Sequence, residues 1–194
     1  MTSRPSRDEL AAAVHLTVPD VTAPGLRVLF SGINPGLWSA ATGLHFARPG
    51  NRFWPALHRS GLTSRQLDPS EQAELLPLGL GITNVVARAS ARADELSRAE
   101  LVAGGEVLRA KVRCLRPAWL AVVGIGAYRS AFASPRAVVG PQEETVGEAR
   151  VWVLPNPSGL NARWPVPALA EEFARLRDAA GLPDLSRGGV GFPR

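Results

Sequence analysis

Apolar positions in this chain gather into four short runs separated by longer amphipathic stretches. Leu26 to Ile33, Gly81 to Val86, Trp119 to Val123 and Val151 to Leu154 are short, mainly apolar runs with β-branched residues, apolar on both faces. That is the pattern of strands buried on both faces, as in a parallel sheet. Between them lie segments with helix start signals. Asp68-Pro69-Ser70-Glu71 supplies a capping side chain, a proline suited to the first helical position and a glutamate that can reach back to the cap. Ser97-Arg98-Ala99-Glu100 opens a longer helix in the same way, ending near Leu115 before Arg116-Pro117, and a last amphipathic helix spans Val166 to Ala180 before Gly181. Strand and helix alternate. The chain therefore predicts an α/β fold, a three-layer α/β/α sandwich around a central, mainly parallel four-stranded sheet.

At 194 residues the chain fits one domain, placed at 7–182, and the Gly-, Pro- and Arg-rich ends, 1–6 and 183–194, are expected to be flexible. A hydrophobic share of 45% argues against a disordered chain. The longest uncharged apolar run, Trp119 to Tyr128, is about half of the ~20 residues a membrane-spanning helix needs. Ala11 to Leu16 is too short for a secretory signal, so no membrane partner and a cytoplasmic location are expected. Cys114 is the only cysteine, which excludes an intramolecular disulfide and any Cys-x-x-Cys site. His15, His45 and His58 lack the spacing of a helical metal site, so neither metal nor cofactor is expected. The net charge of +5 favours a polyanionic partner, although a composition rich in Ala, Gly, Pro and Arg produces the same excess without one.

Ligands of parallel sheets bind beyond the carboxyl ends of the strands. Two of the loops expected there look alike: Gly32-Ile33-Asn34-Pro35-Gly36 after the first strand and Leu154-Pro155-Asn156-Pro157-Ser158-Gly159-Leu160 after the last. Proline after each asparagine holds it extended, and glycine lets the backbone turn sharply. A carboxamide fixed at the mouth of a sheet suits reading a base edge or holding a water, and suits poorly the role of nucleophile. Plain turn chemistry accounts for one such loop as well as function does, and less well for two. A dinucleotide-binding turn at Val122-Val123-Gly124-Ile125-Gly126 is the main rival, but Arg129 stands where the third glycine belongs. Close strand-to-helix packing is the simpler account of those glycines. No Gly-x-Ser-x-Gly elbow is present.

Gly32-Ile33-Asn34-Pro35-Gly36, Thr42-Gly43, Phe46-Ala47, Asn51-Arg52-Phe53-Trp54 and Asn156-Pro157-Ser158-Gly159-Leu160 together resemble, in order, the mismatch-specific uracil/thymine-DNA glycosylases of the uracil-DNA glycosylase superfamily. The likeness runs from Leu26 to Ala180. It implies a monomeric, cofactor-free enzyme of base excision repair. Such an enzyme removes uracil, or less readily thymine and modified cytosine, from G:U and G:T mispairs in double-stranded DNA and leaves an abasic site. On the cell's DNA it would be nucleoid-associated. By the resemblance Asn34 positions the water that attacks C1′, Ile33 and Ser39 line the base pocket, and Phe46 stacks on the flipped base. Leu160 wedges into the duplex, while Asn156, Ser158 and Gly159 form the loop that faces the unpaired guanine. Core burial is the competing account of Phe46 and of Leu160.

Two positions depart from that pattern. Ala162 stands where an arginine is expected two residues after the wedge, with Arg163 one place later. Asp94 stands where an amide is expected, either as a catalytic carboxylate or as an acid that helps to start the helix capped by Ser97. Arg48, Arg52 and Arg163 are candidate phosphate contacts. No lysine is placed for a Schiff base, since Lys111 falls within a helix, so the expected enzyme is monofunctional. A noncatalytic DNA-binding protein is the alternative from another class: it explains the charge and leaves the paired Asn-Pro loops unexplained.

Overall fold

The computed structural model describes residues 4–186. Its centre is a sheet of five strands, β1 (Val28–Gly32), β2 (Leu80–Asn84), β3 (Trp119–Val123), β4 (Gly140–Val146) and β5 (Ala149–Leu154), in the order β2-β1-β3-β5-β4. β1, β2, β3 and β5 are parallel, and β4 runs antiparallel to β5 at one edge. The helices are α1 (Arg7–Ala12), α2 (Leu37–Thr42), α3 (Phe53–Arg59), α4 (Arg98–Leu115), α5 (Ile125–Ala131) and α6 (Val166–Ala179).

Alternating side chains send β1 into both layers. Val28 and Phe30 pack with Phe53, Leu57, Leu169 and Phe173 from α3 and α6, while Leu29 packs with Leu108, Val112 and Tyr128 from α4 and α5. Both faces of the sheet are thus covered, as the apolar runs predict.

The sheet has five strands where the sequence pattern predicts four. The added strand, β4, reads Gly-Pro-Gln-Glu-Glu-Thr-Val and alternates between exposed and half-buried positions, so its polar face hides it from a search for apolar runs. The segment after Asp68 forms a 3-10 helix, Pro69–Leu78, with the anticipated cap: Ser70 N–H donates to the Asp68 carboxylate at 3.0 Å and Asp68 N–H to Glu71 Oε2 at 2.7 Å. Pro77 within it has no N–H to continue an α-helical ladder. The α4 capping box forms as predicted, with Ser97 N–H donating to Glu100 Oε2 at 2.9 Å. Gly124 turns at φ +128° against the Ile33 side chain, which explains the glycine as close packing rather than a nucleotide turn.

Of the ends expected to be flexible, residues 1–3 and 187–194 lie outside the described span. Within the described part of these ends, Ser6 caps α1, and Leu185 N–H donates to Gly61 O at 2.8 Å. Among the described residues no helix is long and apolar enough to cross a membrane.

Candidate active site

The parallel register aligns the ends of four strands. Gly32 pairs with Asn84, and Val123 with Leu154, so the loops that follow all open on one edge of the sheet. They enclose a cleft of about 350 Å³, within the usual range for small-ligand sites. Of the nine residues given a catalytic, base-pocket or wedge-loop role above, eight line it, Ile33, Asn34, Ser39, Phe46, Asp94, Asn156, Ser158 and Leu160, and so does the candidate phosphate contact Arg48. Gly159 lies beside it, in a smaller adjoining hollow shared with Arg48 and Leu160.

Asn34 is gripped from two directions. The loop after β2 extends the ladder past the strands, as Val86 N–H donates to Ile33 O at 2.9 Å and Ser90 N–H to Pro35 O at 3.1 Å. The Asn34 carboxamide nitrogen then donates to Ser90 Oγ at 2.8 Å, to Arg88 O at 3.1 Å and to Pro35 O at 3.3 Å. Three acceptors around Nδ2 fix which way the amide faces. They leave Oδ1 without a protein donor among the described residues, an acceptor presented to the cleft.

Phe46 has φ +53°, a left-handed backbone uncommon for a bulky residue. Its ring stacks on Phe53 with centroids 4.0 Å apart and planes 15° from parallel, and its remaining surface lines the cleft. The ring is thus both a core contact and a platform. Its segment is pinned on each side: His45 N–H donates to Gln72 Oε1 at 2.9 Å, Ala47 N–H to Ser39 Oγ at 3.2 Å, and Trp54 Nε1 to His45 O at 3.1 Å. The Phe46 N–H between them has no protein acceptor among the described residues.

His45 is buried beside this platform, its Nε2 3.0 Å from Pro19 O and its Nδ1 3.5 Å from Asn84 Nδ2. Burial lowers its pKa, against the smaller raising effect of the Pro19 carbonyl, so the ring is held neutral. Asn84 projects its carboxamide into space that only glycine leaves open, because a Cβ on Gly32 would come within 2.5 Å of Asn84 Oδ1 and 3.3 Å of the Phe46 ring.

The second loop stands across the cleft. Ser158 N–H donates to Asn156 Oδ1 at 2.9 Å, Asn161 Nδ2 to Asn156 O at 3.0 Å and Asn161 N–H to Ser158 O at 2.9 Å, which closes a compact turn. Leu160 sits at its tip and is 80% exposed, so the core-burial account of this leucine fails. Arg48 and Arg163 are exposed, and their guanidinium groups have no partner among the described residues. Arg52 is not on that outer surface, since it donates inward to three loop carbonyls.

Asp94 lies at the rim in a 3-10 turn, Ala93–Glu95, and its carboxylate is bound by Arg92, with Nε to Oδ1 at 3.0 Å and a second contact to Oδ2. Both side chains are mostly exposed, at 73% and 63%. Such pairs contribute about 0–1 kcal/mol and open readily. Among the described residues no cluster of His, Cys, Asp or Glu could hold a metal ion.

The strand-end cleft thus offers a fixed amide acceptor, a buttressed aromatic face and an exposed leucine on a hydrogen-bonded turn, surroundings that suit a flat heterocycle. The family model of the uracil DNA glycosylase superfamily matches residues 19–178. The chain belongs to that superfamily. It is a DNA glycosylase, a hydrolase of DNA repair that acts on uracil, and its partner is DNA. The matched residues carry β1 through β5, both Asn-Pro loops and nearly all of α6.

Three residues of this glycosylase's cleft escape a reading of the sequence. Asn84 ends β2 as Asn34 follows β1, so an amide at a second strand end was the available signal. Ser90 reaches Asn34 across 56 residues of chain and sits in an Ala- and Arg-rich loop without periodicity, so nothing marked it. His45 was visible only as one scattered histidine.

Proposed function

We propose that this superfamily member is a monofunctional, mismatch-specific uracil-DNA glycosylase. It flips uracil, and less readily thymine or modified cytosine, from a mispair with guanine and hydrolyses the N-glycosidic bond. The observation that carries this reading is the facing of Asn34, anchored through its nitrogen, and Leu160, exposed on a closed turn, across one cleft. The first can orient a water and the second can enter a duplex.

A base inside a duplex is out of reach, and extruding it costs a few kcal/mol, least for a mispair. Leu160 would fill the vacated space, as apolar wedges do at unstacked steps. Phe46 then stacks on the flipped base, while Asn84 offers a donor and an acceptor to its edge. Water held by Asn34 Oδ1 attacks C1′, the C1′–N1 bond breaks with its electron pair passing to the base, and the free Phe46 N–H can donate to the base oxygen that gains charge. Asp94 is assigned to take the proton from water or to stabilise positive charge at the sugar, once Arg92 turns from it toward a DNA phosphate. On the guanine side Gly159 N–H has no acceptor among the described residues, and the Ser158 and Gly159 carbonyls each retain a lone pair.

A lyase step is not part of this reading. Lys111, the only lysine, donates to Asp20 and to Thr83 Oγ1 and does not line the cleft. One copy of the chain carries every group named, so the monomer suffices.

Single-turnover rates on a G:U duplex test the reading. Asn34→Ala is expected to lower the rate by about 10²- to 10⁴-fold with duplex binding unchanged, and Asp94→Asn to lower it as well. An Asn34→Ala protein as fast as the parent would refute the assignment of Asn34, and an unchanged Asp94→Asn protein that of Asp94.

A further inference from the structure

We infer that Arg52 is a positioning residue that holds the Leu160 turn in its inserting shape. The inference rests on the reading of Leu160 as a wedge. Arg52 Nη1 donates to Asn161 O and to Trp164 O, both at 2.8 Å, and Nη2 donates to Gly159 O at 2.9 Å. Its backbone N–H donates to Pro157 O at 2.9 Å. One residue therefore binds the turn at four points, two of them the carbonyls immediately before and after Leu160.

The chemistry suits arginine in particular. A guanidinium is a planar fork of five N–H donors, and here it faces carbonyls alone, with no carboxylate among the described residues. The compact ammonium of lysine cannot span three acceptors spread over 159–164. Arg52 is also well rooted, because it leads directly into α3, whose Phe53, Trp54, Ala56 and Leu57 are buried. The turn is seated on the same segment from a second side: a Cβ on Gly159 would come within 2.7 Å of Gly50 O. The position of an 80% exposed leucine is thereby referred to the core through one side chain. Without it, the turn must be ordered during insertion, so duplex invasion suffers while bond cleavage on an already unpaired uracil does not.

Arg52→Lys and Arg52→Ala are compared with the parent on uracil opposite guanine, on the same uracil opposite an abasic site, and for the rate of trypsin cleavage after Arg163. The expected result is a loss of roughly tenfold or more in single-turnover rate at G:U, the scale of two or three lost hydrogen bonds. At the unpaired uracil the loss is expected to stay under about twofold, and cleavage after Arg163 to be faster in both variants at an unchanged melting temperature. Equal losses on the two substrates, or unchanged cleavage after Arg163, would overturn the proposal. Trypsin reports on the turn without any DNA. If Leu160→Ala keeps the parent rate at G:U, it is the wedge reading that fails, and the cleavage rate alone then judges whether Arg52 orders the turn.

Discussion

The orientation of Asn34 depends on acceptors contributed by a loop more than fifty residues away. Of these, Ser90 Oγ is the shortest partner and is itself fixed by donating to Arg92 O at 2.7 Å. Ser90→Ala removes one acceptor and leaves the Arg88 and Pro35 carbonyls, so a loss of about 0.5–1.5 kcal/mol of orientation is expected. That corresponds to a two- to tenfold lower single-turnover rate at G:U with unchanged duplex affinity. At this scale the sequence shows residues whose chemistry is written in a local motif. Asn34 and Leu160 stand out because proline and glycine flank them. Ser90 and Arg52 do not, because each acts through contacts that exist only after distant loops meet. Arg52 looks on paper like any other arginine near the DNA side, and only the three carbonyls around it separate it from Arg48 and Arg163.

Among the elements, α4 links stability to the site. Glu100 closes its capping box by accepting from Ser97 and also binds Arg88, whose carbonyl holds Asn34. The Arg88 guanidinium, followed by the Ser97 groups, pulls the Glu100 pKa down to about 2. Its folded value lies below the unfolded one of about 4.3, so its contribution is complete above that pH and is lost as the pH falls through about 2. His45 acts sooner on acidification. Burial lowers its pKa from about 6.5, so the folded state resists protonation that the unfolded state accepts. Stability is therefore expected to be full above pH 6.5 and to decline as the pH falls below it toward the lowered folded value. Thermal melts between pH 7.5 and 5 would show this, and His45→Gln should flatten the decline. Ser97→Ala should cost about 0.5–2 kcal/mol in urea unfolding through loss of the cap.

The elements with strong local signals, the four apolar strands, the capped α4 and the amphipathic α6, were legible in the chain. Those that were not are short or amphipathic in the other sense. α2, α3 and α5 span only six or seven residues, too few for a helical period to declare itself, and β4 keeps one face in water.

Over the whole molecule, the doubly covered sheet collects four strand ends at one edge, and the net charge of +5 comes from a surface dominated by arginine. Duplex affinity should fall steeply with salt, each neutralised phosphate adding about 0.9 to the slope of log affinity against log salt. Arg163→Ala and Arg48→Ala should each reduce that slope by roughly one unit, whereas Arg52→Ala should leave it nearly unchanged. Leucine insertion and the aromatic platform carry no charge, so base release rather than affinity separates this enzyme from a protein that only binds DNA.

The most direct measurement follows base release itself. End-labelled duplexes bearing a single G:U, G:T or A:U pair are incubated with the protein in EDTA, and strand scission is read with and without hot alkali. Scission at G:U only after alkali, weaker at G:T and weakest at A:U, is the predicted result for a metal-free, monofunctional, mismatch-specific glycosylase. Duplex that is bound in every lane and cut in none, or equal release from A:U and G:U, would contradict it.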